Sequence, residues 1–216
     1  MLPRLVSLLI GYACGHFLTG FFYGKTQHVD LRKVGSGNVG TTNTYRNLGY
    51  KAGILTLLGD VGKVILSVWI VWMIYRADPS VNVKVLEYYA ALGTILGHNF
   101  PIFMKFHGGK GIACTGGLMV AVCSACVPIC LAIFVITVAI TKYVSLGSIL
   151  VCISFFLQIL IYGQLGWLGL AGTDLMEVYI LSAIVMVLGI VRHRTNISRL
   201  LAGTESKFSL KQKGTN

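Results

Sequence analysis

Six apolar blocks, near 5–24, 52–75, 85–104, 111–141, 144–163 and 175–191, constrain this chain more than any other feature. Their apolar residues run continuously instead of recurring at amphipathic spacing. A helix of about 20 such residues crosses a bilayer. Of the 216 residues, 55% are hydrophobic and only 12% charged, about half the charged share of a soluble domain. The expected fold is all-α, a polytopic bundle of membrane helices forming a single integral-membrane domain over 1–216. A β-barrel would show short alternating strands instead. The first block follows Arg4 and no signal-type cleavage site follows it, so it reads as a retained helix. The six cysteines show no metal-ligand spacing beside histidines and read as small buried hydrophobes. No metal or cofactor is expected.

Block 111–141 is too long for one crossing, and Pro128 near its middle disfavours an uninterrupted helix. Charge decides how it runs. Lys25, Arg32, Lys33, Arg46 and Lys51 follow the first block, and Lys105 and Lys110 follow the third. Arg192, Arg194, Arg199, Lys207, Lys211 and Lys213 follow the last, while 164–174 holds no Lys or Arg. The positive-inside rule places basic segments in the cytoplasm. All three fall there only if 111–141 crosses twice, turning near Ser124–Pro128. We therefore expect about seven transmembrane helices, two of them short, with the N-terminus outside and the C-terminus cytoplasmic. The net charge of +11 then sets topology and meets phosphate or anionic lipid, not nucleic acid.

Three polar stretches fall on that cytoplasmic side. The first, GSGNVGTTN from Gly35 to Asn43, contains G-x-G-x-x-G. A dinucleotide fingerprint needs a preceding strand and a βαβ unit, and here an apolar span precedes it. The second, HGGKG from His107 to Gly111, is no Walker A loop, because Met104 and Gly111 stand where Gly and Ser/Thr are required. The physics beneath both motifs still applies. Glycines let successive backbone N–H groups point into one concavity and hold an anion. Gly108, Gly109 and Gly111 flank the charge of Lys110. The first loop adds Ser36, Thr41 and Thr42 hydroxyls, Asn38 and Asn43 amides, and the Arg46 guanidinium, suited to bidentate phosphate contacts. Tight turns between helices would also explain each loop taken singly.

The third stretch is Arg192–Arg199. As a helix it places His193, Asn196 and Arg199 on one face. Alternatively, Thr195 or Asn196 caps a short helix ending at Gly203, or the stretch is a basic anchor on anionic lipid. His193 near phosphate suits acid, base or hydrogen-bond chemistry. Asp60 and Lys63, one turn apart inside a span, call for each other or for partners on another helix. His98 precedes Asn99 and Pro101 where the third span exits, within reach of the site. His16 is expected to bond to a neighbouring helix.

Taken together, GSGNVGTTNTYRNLG, GHNFPIFMKFHGGKG and RHRTNISRLLAGTE resemble, in order and spacing, the three cytoplasmic motifs of bacterial acyl-phosphate:glycerol-3-phosphate acyltransferases. The resemblance spans most of the chain, including LLGDVGKVILSV. It implies a multi-pass enzyme of the bacterial cytoplasmic membrane that moves a fatty acyl group from acyl phosphate to the 1-hydroxyl of glycerol 3-phosphate. The products would be 1-acyl-glycerol 3-phosphate and inorganic phosphate, at the start of phospholipid synthesis. It implies a serine and an arginine from the first motif (Ser36, Arg46) and a glycerol-3-phosphate loop from the second (Gly108, Gly109, Lys110, Gly111). The third would supply a histidine and an asparagine (His193, Asn196) and a structural glutamate (Glu205). Asn38, Thr42, Asn43 and His98 complete the expected substrate contacts. Val39 and Val64 depart from the commonest pattern, where proline and glycine stand. The H-x-x-x-x-D motif of acyl-CoA-linked acyltransferases is missing, since His28 and Asp30 are too close.

Direct attack by glycerol 3-phosphate is expected, with His193 or the substrate's own phosphate as base. A covalent acyl-Ser36 intermediate is the rival step. The rival of another class is a transporter of an anionic phosphorylated metabolite. Buried Asp60 and Lys63 suit it, whereas the lack of an internal repeat does not.

Overall fold

The computed structural model describes residues 1–208; Lys211 and Lys213 of the expected basic tail lie outside the described residues. Among the described residues ten α-helices follow one another: α1 (Leu2–Gly15), α2 (Thr19–Thr26), α3 (Thr41–Leu48), α4 (Tyr50–Tyr75), α5 (Val83–Asn99), α6 (Ile112–Val122), α7 (Cys126–Thr141), α8 (Val144–Gln164), α9 (Gly172–Arg192) and α10 (Arg194–Leu201). Four stretches are long and apolar enough to cross a membrane: Leu2–Thr26, Tyr50–Tyr75, Val144–Gln164 and Gly172–Arg192. Large apolar side chains cover the outside of the bundle, with Trp69 54% and Ile140 76% exposed. Such a surface needs a hydrocarbon solvent.

The long block does break, at Cys123–Ala125. Pro128 is the third residue of α7, where its missing N–H forfeits no helical bond. It opens the second helix instead of marking the end of the turn. The third block is shorter than expected. α5 stops at Asn99 because Pro101 disfavours helical backbone at Phe100, which adopts φ −133. A 3-10 turn, Ile102–Met104, and the left-handed residues Lys105 and Phe106 follow.

Contacts along the helices give their directions. α1 and α5 run parallel and touch backbone to backbone. A Cβ at Gly11 would come 2.0 Å from the Ala90 oxygen, and one at Gly97 2.2 Å from the Tyr12 oxygen. Gly11 with Gly15, and Gly93 with Gly97, form two facing G-x-x-x-G ridges, the small-residue packing of membrane helices. α4 runs against α5, since Lys63 meets His98 and Ser67 meets Thr94. α8 runs against α9, where Gly189 faces Cys152 and Gly163 faces Tyr179. α7 returns against α8, with Cys130 near Val151 and Phe134 near Gly147. The N-termini of α1, α5 and α9 share one end of the bundle, joined by Arg4–Glu177 at 2.6 Å, Tyr89–Glu177 and Asn82–Asp174. Thus α1, α5, α7 and α9 run towards one end, and α4, α6 and α8 run back. His16 Nδ1 meets its own helix at Tyr12, and Nε2 accepts from the Ile102 amide in the turn after α5.

Candidate active site

The end towards which α1, α5, α7 and α9 run holds the three polar stretches. They converge on a cavity of about 440 Å³. Its mouth is polar, lined by Ser36, Asn38, Thr42, Arg46, Lys110, Asn196 and Arg199. Its inner arm is apolar and runs between α6, α7 and α8. Each helix presents one stripe to it: Ile112, Gly116 and Val120 from α6; Val127, Cys130, Leu131 and Phe134 from α7; Val144, Ser148 and Val151 from α8. These are the i, i+3, i+4, i+7 spacings of a helix face.

At the mouth a chain of hydrogen bonds joins three parts of the sequence. Lys110 Nζ donates to Asn196 Oδ1 at 2.5 Å, and Asn196 Nδ2 donates to Glu205 Oε1 at 2.7 Å. Glu205 also accepts from Arg199 Nε at 2.7 Å and Ser145 Oγ at 2.8 Å. Burial pushes the Glu205 carboxyl up, but the bonds from Asn196, Arg199 and Ser145 outweigh it and hold the group below its ordinary range. Burial brings Lys110 down to about 8; Glu205 opposes this, and Arg199, Arg192 and Arg46 add to it. An anion entering here meets crowded positive charge.

His193 ends α9 and opens α10, so neither Thr195 nor Asn196 caps that helix, and no side chain among the described residues does. α10 nonetheless puts Asn196 and Arg199 on the cavity side with His193. His193 is 3% exposed. Burial first, then Lys110 and Arg192, bring it down to about 4, against the opposing bond to Gly189 and the charge of Glu205. It is therefore neutral at pH 7. A carbonyl only accepts, so the 2.7 Å contact to the Gly189 oxygen puts the proton on Nδ1. The Nε2 lone pair remains to accept a bond, which makes His193 a weaker base than the sequence suggested.

Some of the groups expected to contact substrate already have partners within the fold. Asn43 lines the cavity, but its amide is occupied. Oδ1 accepts from Ser36 N and Asn47 Nδ2, and Nδ2 donates to the Leu31 and Val34 oxygens. It shapes the loop that carries Ser36, whose hydroxyl makes no hydrogen bond among the described residues. Gly108 and Gly109 are outside the cavity wall. Their amides donate to the Asn99 and His98 oxygens, and Arg192 clamps their carbonyls at 2.9 and 2.8 Å. A Cβ at Gly109 would come 2.0 Å from His98 Nε2. These two glycines allow close approach, and their amides are already bonded to the end of α5. Gly111, left-handed at φ +78, caps α6. The amides of Ile112, Ala113 and Cys114 at that helix start are the ones left without intrahelical partners.

Asp60 and Lys63 pair at 2.9 Å, deeply buried. Lys63 also donates to the Phe17 oxygen and, at 2.7 Å, to His98 Nδ1. Asp60 and His98 reach the cavity wall. Asp60, His98 and Cys114 bring ligand atoms within 4.8 Å of one another, but the Lys63 ammonium already balances that carboxylate and opposes a cation. Ser145 was missed in the sequence, although two serines, Ser145 and Ser148, stand in the first two turns of α8. Thr41, whose buried hydroxyl lacks a partner among the described residues, also lines the mouth.

The family model for glycerol-3-phosphate acyltransferase matches residues 5–203. The chain is 39% identical over 197 residues to the glycerol-3-phosphate acyltransferase of Trichlorobacter lovleyi, covering 91% of this chain and 93% of that one. It is 38% identical over 210 residues to that of Clostridioides difficile, covering 96% and 97%. It superposes on the crystal structure of PlsY (YgiH), an integral membrane glycerol 3-phosphate acyltransferase, in its glycerol 3-phosphate form. There the TM-score is 0.82 at 33% identity, over 95% of this chain and 96% of that one. The lysophosphatidic acid form of PlsY gives 0.79 at 31% identity, over 95% of each chain.

Proposed function

The chain belongs to the glycerol-3-phosphate acyltransferase family, and from that premise we propose that its acyl donor is acyl phosphate. The reaction is transfer of the fatty acyl group to the 1-hydroxyl of glycerol 3-phosphate, giving 1-acyl-glycerol 3-phosphate and inorganic phosphate. One observation carries this reading. A single cavity joins a mouth bearing Arg46, Lys110 and Arg199 to an apolar arm, which matches two phosphates and one hydrocarbon tail. We further propose seven membrane crossings, with the N-terminus outside and the site at the cytoplasmic face of the bacterial inner membrane. The alternating helix directions and the basic segments at the site's end support it.

Acyl phosphate is already activated, so the chain mainly aligns the hydroxyl with the carbonyl and stabilises the developing oxyanion. Arg46, Lys110 and Arg199 bind phosphate. Ser36 Oγ, Asn196 and the amides at the start of α6, where the helix dipole favours negative charge, donate hydrogen bonds. His193 Nε2 accepts from the 1-hydroxyl and orients it. The proton passes to the phosphate of glycerol 3-phosphate, whose second pKa near 6 makes it a better acceptor than a histidine held near 4. Attack is direct; hydroxylamine trapping that recovered acyl-Ser36 from enzyme and acyl phosphate alone would overturn it.

The decisive assay gives purified protein palmitoyl phosphate and labelled glycerol 3-phosphate with chelator present, and palmitoyl-CoA as a parallel donor. Product from the acyl phosphate alone is expected. Product from palmitoyl-CoA alone would refute the donor. No product from either, with folded protein, would favour the transporter, and flux of glycerol 3-phosphate into proteoliposomes would then be measured.

A further inference from the structure

Gly116 and Gly117 are neighbours in α6 but serve different surfaces. A Cβ at Gly117 would come 2.7 Å from the Val61 oxygen and 3.0 Å from Val64 Cβ, so that glycine lets α6 lie against α4. A Cβ at Gly116 would meet nothing within 4 Å. Helix packing therefore gives no reason for a glycine at 116, and glycine inside a helix is destabilising relative to alanine. What the missing side chain leaves open is the cavity. Gly116 lines its apolar arm, between Ile112 and Val120 on the same helix face, and the α7 stripe lines the same cavity.

We propose that Gly116 sets the acyl-chain length this enzyme accepts, by keeping the arm open part way down. The inference rests on reading that arm as the site of the acyl tail. Gly116 lies four residues beyond Ile112, where α6 starts, about 6 Å along the helix axis. One leaflet of hydrocarbon is about 15 Å deep. A tail whose carbonyl sits at the mouth therefore passes Gly116 with its outer methylenes still to be placed. A side chain at 116 excludes those methylenes and spares the ones nearer the carbonyl. Short donors fit beside it, and long ones lose their contacts with Val127 and Leu131 or are forced out of the arm.

The test compares kcat/KM for octanoyl, lauroyl, palmitoyl and stearoyl phosphates in the wild-type protein, Gly116→Ala and Gly116→Leu. The expected result is a rise of about tenfold in the octanoyl-to-palmitoyl ratio for Gly116→Leu, as the outer methylenes move into lipid and give up about ten packing contacts of ~0.15 kcal/mol each. Gly116→Ala should shift the ratio in the same direction by less. A ratio unchanged in folded Gly116→Leu would overturn the proposal. If Gly116→Leu does not fold, an unchanged ratio in Gly116→Ala and Gly116→Val does so. A wild-type protein that uses no acyl phosphate of any length fails the donor reading instead, which the ratio separates from failure of the gauge. A merely structural role for Gly116 would lower all four donors together and leave the ratio where it was.

Discussion

Glu205→Gln isolates the electrostatic part of the site from its shape. Glu205 reaches Lys110 only through Asn196, by bonds of 2.5 and 2.7 Å. The carboxylate and the ammonium are thus at most about 7 Å apart, and at an effective dielectric of ~20 their attraction is about 2 kcal/mol or more. Glutamine keeps the side-chain volume and removes that attraction. Lys110, near 8 in the native chain with Glu205 among the groups holding it up, then loses its proton at lower pH. The assay is kcat/KM for glycerol 3-phosphate against pH at saturating acyl phosphate, which reports the free enzyme. In the wild type it should fall above about pH 8 as the ammonium is lost. In Glu205→Gln the alkaline limb should move to lower pH by about 1.5 units, at 1.36 kcal/mol per unit. Lys110→Met should show no such limb at all. The height of the profile also drops, because glutamine keeps one oxygen and either Arg199 at Oε2 or Asn196 and Ser145 at Oε1 lose their acceptor, so only the position of the limb is diagnostic. A limb that stays in place, or moves to higher pH, refutes the electrostatic argument.

Lys110 is held below its unfolded value, so between about pH 8 and about 10.4 the unfolded chain carries a proton that the folded chain lacks. Thermal stability should rise across that window, and Lys110→Met should flatten the rise while abolishing activity. His193→Ala should lower kcat by about 10²-fold through loss of the orienting acceptor. Its residual activity should keep an acid limb near pH 6, because that limb belongs to the substrate phosphate; disappearance of the limb would make His193 the base. Gly109→Ala should cost at least tenfold in kcat/KM for glycerol 3-phosphate, since a Cβ there must displace the His98 ring. Lys63→Met leaves Asp60 and His98 buried without their shared donor and should destabilise the chain by about 3–5 kcal/mol. Replacing Asp60 and Lys63 together with apolar residues should recover part of that in a chemical-denaturation assay.

Much of this could be read in the chain because a bilayer leaves few choices. Continuous apolar runs become helices, and the excess length of 111–141 together with the distribution of Lys and Arg indicated a second hairpin there. The convergence of Ser36, Arg46, Lys110, His193 and Asn196 followed from their shared side. What the sequence concealed was the fate of individual hydrogen bonds. Nothing local shows that the Asn43 amide is spent on the Leu31 and Val34 carbonyls, or that Arg192 holds Gly108 and Gly109 from another helix 83 residues away. Ser145 sits in a run that reads as membrane, and only its contact with Glu205 brings it to the mouth. The facing G-x-x-x-G ridges of α1 and α5 were visible as spacings, but a spacing does not say which helix it meets.

The apolar arm does not close on itself. Val120 and Leu131 line it and are also 47% and 58% exposed on the flank of the bundle. A tail lying there still borders the lipid around the protein. If the arm holds the donor's tail, as proposed, that donor can slide in sideways from its leaflet and the acylated product can slide out the same way, without lifting a chain through water at about 0.8 kcal/mol per methylene. The quantity that governs turnover is then the two-dimensional density of donor in the membrane, not its amount per litre. Adding inert lipid or detergent at constant total donor should slow the enzyme by dilution within the surface. Glycerol 3-phosphate, arriving from the aqueous side, should obey ordinary volume concentration throughout.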